Sequence, residues 1–380
     1  MDSSIVSIES FRELDPRSRK STHDFLEIFV ITMAAVICGM TGWDEIFVFA
    51  KERKKWFKKR LGLKLENGIP SRNTFARVIS AIKPEKLQDA FSDWVKSVAR
   101  SKDSEIVALD GKTVRRSFEK SKNKKAVHII NAWACNSGIT LGQLATEEKS
   151  NEITAIPKLI ESLSLKGSVV TIDAMGCQKQ IAESICEAKA DYVLALKGNQ
   201  GKLDGAVQSF LMNRINEGFK DVKHSYFETK LERGHGRIEV RKAWSLPIKG
   251  YENYFDGCKE WKNLKSIFVV KLESTNINTK EHTENFRYYI SSLDTDAQRF
   301  LDISRAHWKI EAMHWTLDVC FNEDDSRIRI DDAPANFSAL RKIALTYLKQ
   351  ETTFKKGIKI KQKRAALSTD YLEDILQLNI

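Results

Sequence analysis

Acidic residues stand directly after two short apolar runs, and this placement suits metal chemistry. Residues 106–109 lead into Asp110 and Gly111, and residues 169–172 lead into Asp173. Each run is too short for a stable helix and has the composition of a buried strand, expected to end at the acid. If the two strands are neighbours, two carboxylates share a small volume, and their repulsion calls for a divalent metal or a proton. The sequence therefore predicts a two-carboxylate site at the ends of two strands.

A second polar constellation lies nearer the C-terminus, in residues 305–321. His307, Glu311, His314 and Asp318 are separated by four, three and four positions, which places them on one face of a helix. Metal chemistry and a polar interface both explain such a face. The pattern is not HExxH, and the two histidines are seven positions apart, so it does not favour a zinc protease.

Composition narrows the class of partner. The 380 residues carry a net charge of +11, which favours a polyanionic partner, with nucleic acid the first candidate and an ordinary basic protein the alternative. The six cysteines include no CxxC pair, so neither a disulfide framework nor a zinc knuckle is indicated and a reducing cytosol fits best. The uncharged run 28–43 is shorter than the roughly 20 residues of a membrane span, so we expect a buried core helix there.

The first part of the chain has helical patterns throughout, to residue 95. Residues 43–63 are predicted to form one amphipathic helix with a strongly basic face, and a further helix is expected at 87–99. Ser71 precedes a shorter helix that bears Arg72 and Arg77, a combination that suits a helix-turn-helix-like DNA module. A helical cap on the next domain explains the same residues equally well.

From residue 106 the pattern changes to strand, hairpin, helix, strand, helix and strand, which predicts a mixed sheet covered by helices. Residues 200–292 contain four further strand patterns and are expected to form a β-rich insertion. Helical patterns return at 297–318 and 339–350, and a basic segment follows, which is expected to be a solvated tail or a grip on DNA phosphates.

Five motifs in a fixed order connect these features. They are Leu-Asp-Gly-Lys at 109–112, Ile-Asp-Ala-Met-Gly at 172–176, Leu-Lys-Gly-Asn-Gln at 196–200, His-Gly-Arg-Ile-Glu at 235–239, and the His-Trp-x-Ile-Glu stretch that runs from 307 to 324. Together they resemble the DDE transposases of bacterial insertion sequences, in particular the ISAs-type branch of H-repeat-associated proteins linked to Rhs elements. The resemblance covers nearly the whole chain, and it is carried by the order and spacing of the motifs together.

The resemblance implies an α/β fold with a ribonuclease H-like mixed sheet and flanking helices, an all-α N-terminal domain, and a β-rich insertion before the last catalytic helix. The predicted division of the chain is a helical, DNA-binding domain at 1–100, the first part of the catalytic core at 101–200, the insertion at 201–293, the last part of the core at 294–350, and a basic tail at 351–380.

The family's three acids correspond to Asp110, Asp173 and Glu311, which are implied to be catalytic and to bind two Mg²⁺, for which Mn²⁺ can substitute. Asp110 is expected to bridge the two ions. Related transposases carry a Tyr-x2-Arg-x3-Glu-x6-Lys signature around the glutamate. Here Ser304, His307 and Asp318 stand at the other three positions, so the roles of those positions are not carried over.

The implied function is that of an insertion-sequence DNA transposase. It would bind terminal inverted repeats, hydrolyse a phosphodiester at each element end, and join the 3′-hydroxyls to target DNA as a homodimer in a synaptic complex. We expect it in the bacterial cytoplasm, associated with the nucleoid, with no role for a membrane. The alternatives are a non-catalytic, transposon-derived DNA-binding protein and another ribonuclease H-like nuclease.

Eight residues are predicted DNA contacts, each with a structural alternative. In the loops, the structural alternatives are a surface lysine for Lys112, a simple turn for Lys197 and Asn199, and a hairpin tip for Arg237. For Trp308 and Trp315, core packing is the favoured alternative. The predicted contacts are Lys112, Lys197, Asn199, Arg237, His307, Trp308, Arg72 and Arg77.

Overall fold

A computed structural model describes residues 10–17, 21–98, 105–119, 123–146 and 151–377. The chain divides into two compact units. Unit 1 comprises residues 1–102, 111–155 and 311–380, and unit 2 comprises residues 103–110 and 156–310. The division of the chain into five functional segments, given in the sequence analysis, stays a prediction.

The elements are labelled in chain order. The α-helices are α1 Phe25–Ile37, α2 Trp43–Glu52, α3 Lys54–Arg60, α4 Arg72–Ala81, α5 Pro84–Val98, α6 Glu152–Ser162, α7 Lys179–Glu187, α8 Gly201–Asn216, α9 Ala297–Phe321, α10 Ala333–Gln350, α11 Ile358–Leu367 and α12 Thr369–Gln377. The strands are β1 Ile106–Thr113, β2 His128–Ala134, β3 Ile139–Thr146, β4 Val169–Ile172, β5 Asp191–Leu196, β6 Ser225–Glu228, β7 Glu232–Gly234, β8 Arg237–Pro247, β9 Ser266–Asn276 and β10 His282–Ser291.

The N-terminal helices belong to unit 1, and α1 is almost entirely buried. Asp24 caps α1 by accepting the backbone N–H groups of Leu26 and Glu27. Twelve of the thirteen residues of α1 are buried, so the prediction of a core helix in the run 28–43 is confirmed. The prediction of one helix over 43–63 is wrong, because α2 ends at Glu52 and α3 begins at Lys54, with Arg53 between them. In α3, both Trp56 and Phe57 are buried.

The C-terminal helices also belong to unit 1. Helix α10 is almost entirely buried, and Phe337 and Tyr347 contact aromatic rings of the N-terminal helices. The basic segment is not a solvated tail, because it forms α11 and α12. The Lys361 ammonium is buried there and donates to the Leu348 carbonyl oxygen at 2.9 Å and to Glu351. Ala99, the last residue of the helix expected at 87–99, lies outside the described residues.

The strands of unit 2 form one sheet in the order β1-β4-β5-β10-β9-β8-β6, with β7 paired to β8. β1, β4 and β5 are parallel, and β10 pairs antiparallel with β5. The strands expected in an insertion therefore extend the sheet of β5. Its core includes Phe268, whose ring stacks between those of Tyr289 and Phe300 with centroids 4.4 and 4.3 Å away.

Two local predictions for unit 2 need correction. Helix α8 was not predicted inside 200–292, although Leu203, Val207, Phe210 and Leu211 bury one face of it at helical spacing. Strand β1 does not end at Asp110, because it continues to Thr113 after its pairing with β4 ends at Leu109.

The mixed α/β class, the helical N-terminal region and the strand-rich segment before the last long helices are confirmed. Among the described residues, none of the helices combines the length and the hydropathy that a bilayer span requires.

Candidate active site at the ends of two parallel strands

The parallel pairing of β1 and β4 sets Asp110 and Asp173 at the same level. Leu109 pairs with Ile172, and each acid is the next residue along its chain. Asp173 keeps an extended backbone, with φ −64° and ψ 176°. Residues at one level of neighbouring strands project to the same face, so the two carboxylates belong to one side of this sheet. Asp110 is partly buried and Asp173 is exposed.

The loop after β4 holds Asp173 in place. Its Oδ1 accepts the backbone N–H groups of Met175 and Gly176 at 3.1 and 3.3 Å. A Cβ on Gly176 would lie 3.2 Å from the Ile172 Cβ and closer still to its Cγ2, so the turn requires glycine for space. Asp173 Oδ2 accepts no hydrogen bond within the described residues, which leaves it available for a ligand.

Asn199 and Gln200, which follow β5, support the same loop. The Asn199 Nδ2 donates to the Ala174 carbonyl oxygen at 2.6 Å, and the Gln200 Nε2 donates to the Cys177 carbonyl oxygen at 2.9 Å. These bonds connect the motif at 196–200 to the loop that carries Asp173.

Glu311 lies on α9, in unit 1. Its side chain is exposed and makes no hydrogen bond or ion pair within the described part of the chain. Two other members of the predicted polar face have structural partners: the His314 Nε2 lies 3.0 Å from the Asn131 Nδ2, and Asp318 pairs with Lys112. Polar contacts within unit 1 therefore explain His314 and Asp318, and metal chemistry stays a prediction for Glu311.

Lys112 is held by carboxylates. Its Nζ donates to Asp318 Oδ1 at 2.7 Å and to Asp324 Oδ1 at 2.6 Å, and it lies 3.8 Å from Glu323 Oε2. The side chain is only 10% exposed. Burial alone would lower the pKa of Lys112, but these carboxylates outweigh it and raise the pKa above its usual value. This pairing favours a structural role over the predicted phosphate contact.

Behind Lys112, Glu323 is completely buried among cations. Its Oε1 accepts the Ser338 hydroxyl at 2.7 Å and lies 3.7 Å from the Arg341 guanidinium, and the Lys342 ammonium donates to Ser338 at 2.6 Å. Burial raises the pKa of a carboxyl, but the charges of Lys342 and Arg341 outweigh it and hold the pKa of Glu323 below its usual value. Burial lowers the pKa of Lys342 to about 8. Glu323 is therefore a structural residue, surrounded by Arg341, Lys342 and Lys112.

The candidate carboxylates offer oxygen donors only, the type that Mg²⁺ prefers. Within the described residues, no three histidine, cysteine, aspartate or glutamate side chains come close enough together to hold a metal ion. Magnesium commonly uses one or two protein carboxylates and completes its shell with water and substrate phosphate oxygens. Asp110 and Asp173, with a free oxygen on Asp173, fit that requirement.

The predicted DNA contacts differ in what surrounds them. Lys197 and Arg237 are exposed, and Arg237 begins β8 beside the tip formed by His235 and Gly236. Arg72 pairs with Asp44 at 2.8 Å, while Arg77 is exposed and lines a cleft of about 530 Å³.

The tryptophans of α9 correct one expectation. Trp308 is 49% exposed and Trp315 is 65% exposed, so the favoured core packing of both is wrong. The Arg287 guanidinium lies over the Trp308 ring, 5.0 Å from its centroid. His307, the neighbouring predicted contact, is partly buried.

Comparison with known proteins identifies the family. Residues 101–347 match the family described as Transposase DDE domain, and residues 8–95 match the family described as DDE_Tnp_1-associated. The chain belongs to the DDE transposase family. It is 42% identical to "Putative transposase YncI" of Escherichia coli O157:H7, over 98% of this chain and 95% of that protein. It is 40% identical to "H repeat-associated putative transposase YhhI" of Escherichia coli strain K12, over 94% and 93% of the two chains.

Among solved structures, a piggyBac transposase synaptic complex with hairpin DNA is similar over 98% of this chain and 81% of that one, with 10% identity and a TM-score of 0.44.

Sequence reasoning missed several polar residues of this transposase. His128 and Glu152 form a buried pair, and Glu323 is also buried. Signals for the first pair existed: His128 interrupts an apolar strand, and Gly111 directly follows an acid, as expected where another group approaches the backbone. No pattern in the sequence connects Lys112 to Asp324, because the residues are distant along the chain.

Proposed function

We propose that this member of the DDE transposase family is an active insertion-sequence transposase. It binds the terminal inverted repeats of its element, hydrolyses the phosphodiester at each end, and transfers the 3′-hydroxyl ends to target DNA. Asp110, Asp173 and Glu311 are the catalytic, metal-binding residues of a ribonuclease H-like core. The observation that supports this proposal most directly is the pairing of Leu109 with Ile172. Because Asp110 and Asp173 are the next residues, they lie at the same level on one side of a sheet.

The contacts around each acid suit such a role. Asp173 is oriented by two backbone N–H groups on one oxygen, so its second oxygen keeps a fixed direction toward a ligand. Glu311 is exposed on a long helix and has no competing cation within the described residues. A carboxylate already paired with lysine or arginine would be a poor ligand, because the pairing would have to break first.

Asp110, Asp173 and Glu311 would hold two Mg²⁺, or Mn²⁺ in their place. When bound, the ions supply a low-pKa water as nucleophile and stabilise the charge on the leaving oxygen. The protein residues fix the position of the scissile phosphate and exclude misaligned water, and no covalent protein–DNA bond is needed.

The DNA contacts we propose are Lys197, Asn199, Arg237, His307, Trp308, Arg72 and Arg77. Lys197 and Arg237 are exposed cations suited to phosphates. Trp308 offers half of its surface beside a guanidinium, a combination that stacks on an unpaired base. The double-stranded partners are element ends and target DNA, and bringing two ends together requires at least a homodimer. The N-terminal helices at 1–100 would recognise the repeats.

The test uses duplexes taken from the DNA on either side of the gene, incubated with the full chain in Mg²⁺. Wild type should cleave at the repeat ends, and Asp110→Asn and Asp173→Asn should each lower cleavage at least ~10³-fold, since each removes an ionic metal ligand. DNA affinity, measured by fluorescence anisotropy, should stay within about threefold.

Other outcomes separate the alternatives. Cleavage without preference for the repeat ends would identify a different ribonuclease H-like nuclease. Specific binding of the repeats with no cleavage by wild type, in Mg²⁺ or Mn²⁺, would identify a non-catalytic DNA-binding protein. Unchanged cleavage by Asp110→Asn would remove Asp110 from the site.

A further inference from the structure

Gly111, the residue after the proposed catalytic Asp110, is surrounded by a buried polar pair. A Cβ at this position would lie 2.8 Å from the Glu152 Cδ, and closer still to Glu152 Oε1 and His128 Nε2. Real Cβ atoms do not approach heavy atoms this closely, so any side chain here would displace the pair or the strand. Gly111 is therefore required by space, because the backbone of β1 and the two side chains occupy adjoining volumes.

His128 also contacts Thr113, which lies on β1 like Gly111. The His128 Nε2 bonds Glu152 Oε1, and the His128 Nδ1 lies 2.8 Å from the Thr113 Oγ1. When the ring is neutral and Nε2 donates to the carboxylate, Nδ1 is the acceptor and the Thr113 hydroxyl is the donor. A series of hydrogen bonds thus runs from Glu152 on α6 through His128 on β2 to Thr113 on β1, and the side chains of Glu152 and His128 also pack against Gly111.

Burial makes this series of hydrogen bonds stiff. His128 is 2% exposed and Glu152 is 7% exposed. A buried histidine and glutamate contribute less to stability than apolar side chains of the same volume would, unless their geometry is well satisfied. A well-satisfied buried polar group fixes orientation, which an apolar contact does not.

We propose that the hydrogen-bonded residues Thr113, His128 and Glu152, which pack against Gly111, position the Asp110 carboxylate. Asp110 directly precedes Gly111 on β1 and lies one residue past Leu109, the last residue of β1 that pairs with β4. The hydrogen-bonded side chains support β1 at Gly111 and Thr113, the first and third residues after Asp110. The inference rests on the proposed catalytic role of Asp110, and the three hydrogen-bonded residues are positioning residues that touch neither metal nor DNA.

The consequence is kinetic. A carboxylate that wanders by a fraction of an ångström binds metal more weakly and aligns the phosphate less often, and misplacement by about 1 Å can cost ~10² in rate. Removing one of these hydrogen bonds should therefore raise the Mg²⁺ concentration that gives half-maximal cleavage, and it should lower kcat. Binding of DNA to the remaining surfaces should not change.

The first experiment replaces Thr113 with valine, which keeps the shape and removes the hydroxyl. For Thr113→Val we expect half-saturation at ~10-fold higher Mg²⁺ and a ~10–100-fold lower kcat, with KM for DNA unchanged. Thr113→Ser keeps a hydroxyl and should retain wild-type values within about threefold. Binding of Mn²⁺ measured by calorimetry without DNA should weaken in parallel, which provides a readout that does not depend on turnover.

The matched control is Thr140→Val on β3. Thr140 is buried, and its hydroxyl has no hydrogen-bond partner within the described residues, so the same substitution tests loss of a buried hydroxyl alone. We expect unchanged kcat and Mg²⁺ dependence. If Thr140→Val alters them as much as Thr113→Val does, the effect of Thr113 is one of general packing and the proposal fails.

A second pair of variants tests the seat at Gly111. Gly111→Ala should weaken Mn²⁺ binding and lower kcat, because the new methyl displaces Glu152 and His128. Adding Glu152→Ala removes the overlap with Glu152 and gives the His128 ring space to move away from the new methyl, so the double variant should recover part of the lost thermal stability without recovering kcat. Recovery of kcat together with stability would mean that the overlap alone matters and that the hydrogen-bonded chain positions nothing.

Asp110→Asn, measured beside these variants, separates the two claims. If Asp110→Asn cleaves like wild type, the proposed function fails at this residue. If Asp110→Asn is inactive while Thr113→Val keeps wild-type Mg²⁺ dependence, Mn²⁺ affinity and kcat, the positioning role is overturned and the proposed function stands.

Discussion

Glu311 and Glu323 are glutamates of the same unit with opposite surroundings. Glu323 is 1% exposed and is held by Ser338, Arg341 and Lys342, while Glu311 is exposed and has no ionic or hydrogen-bonded partner within the described residues. A carboxylate that is buried among cations has a structural role, because removing it would leave those cations buried without a counter-charge. One that is kept unpaired contributes little to stability and stays available for a ligand. The surroundings of the two glutamates therefore differ in the way expected of a structural acid and of an acid that is available for a ligand.

Glu351 belongs with Glu323 in this comparison. It is 2% exposed and accepts the Tyr371 hydroxyl at 2.7 Å, the Phe354 N–H at 2.9 Å and a bond from Thr353, with the Lys361 ammonium 3.3 Å away. Burial would raise the pKa of Glu351, but these donors outweigh it and lower the pKa to about 2. Glu351 therefore connects α10 to the two helices that follow it.

The largest expected effect is on catalysis. Glu311→Gln should lower cleavage of element-end DNA by ~10⁴-fold, equivalent to about 5.5 kcal/mol of activation free energy, because the amide does not replace an anionic metal ligand. The free energy of unfolding, from urea titration, should change by less than about 0.5 kcal/mol, as for a surface substitution. An unstable but active Glu311→Gln protein would reverse the assignment of this residue.

The same substitution at Glu323 should act on stability. Glu323→Gln leaves Arg341 and Lys342 buried without a counter-charge, so unfolding free energy should fall by about 3–5 kcal/mol. Asp325→Asn is the matched control, since Asp325 pairs with Arg116 at the exposed surface and should cost below about 1 kcal/mol. Equal stability of the two variants would contradict the comparison.

The smallest of these effects is a dependence on pH. Because the folded pKa of Glu351 is about 2, below its ordinary value of 4.5, its contribution to stability is complete above pH 4.5 and is lost as pH falls toward 2. The loss amounts to at most about 3.4 kcal/mol. Glu351→Gln should reduce the slope of unfolding free energy against pH between pH 4.5 and 2, and it should do so more than the control Glu66→Gln, at an exposed glutamate.

The sequence predicted the parts of the fold that local patterns determine. The runs before Asp110 and Asp173, the hairpin around Gly138 and the cap at Ser71 are all encoded within a few residues. Helix α8 was missed because two glycines and a charged face weaken its pattern, although its buried residues keep helical spacing.

Partners distant along the chain were not predictable from one sequence. Lys112 was interpreted as a phosphate contact because it follows Asp110, and only the folded chain brings Asp318 and Asp324 to it. The exposure of Trp308 and Trp315 was missed for a related reason, since large apolar residues at helical spacing usually indicate a core face. The catalytic roles of Asp110, Asp173 and Glu311 stay predictions. Their structural support is the register of β1 and β4, which places Asp110 and Asp173 at the same level.

The antiparallel bond ladder between β5 and β10 limits how the gene can be shortened. Removing residues 201–293 to obtain a minimal enzyme would strip β5 of its neighbour and leave a row of unpaired backbone groups, which recruits other chains into aggregates. A trimmed enzyme would need a replacement strand, or charged residues and proline along the new edge. Natural relatives that vary in this segment are expected to keep a strand in the place of β10 for the same reason.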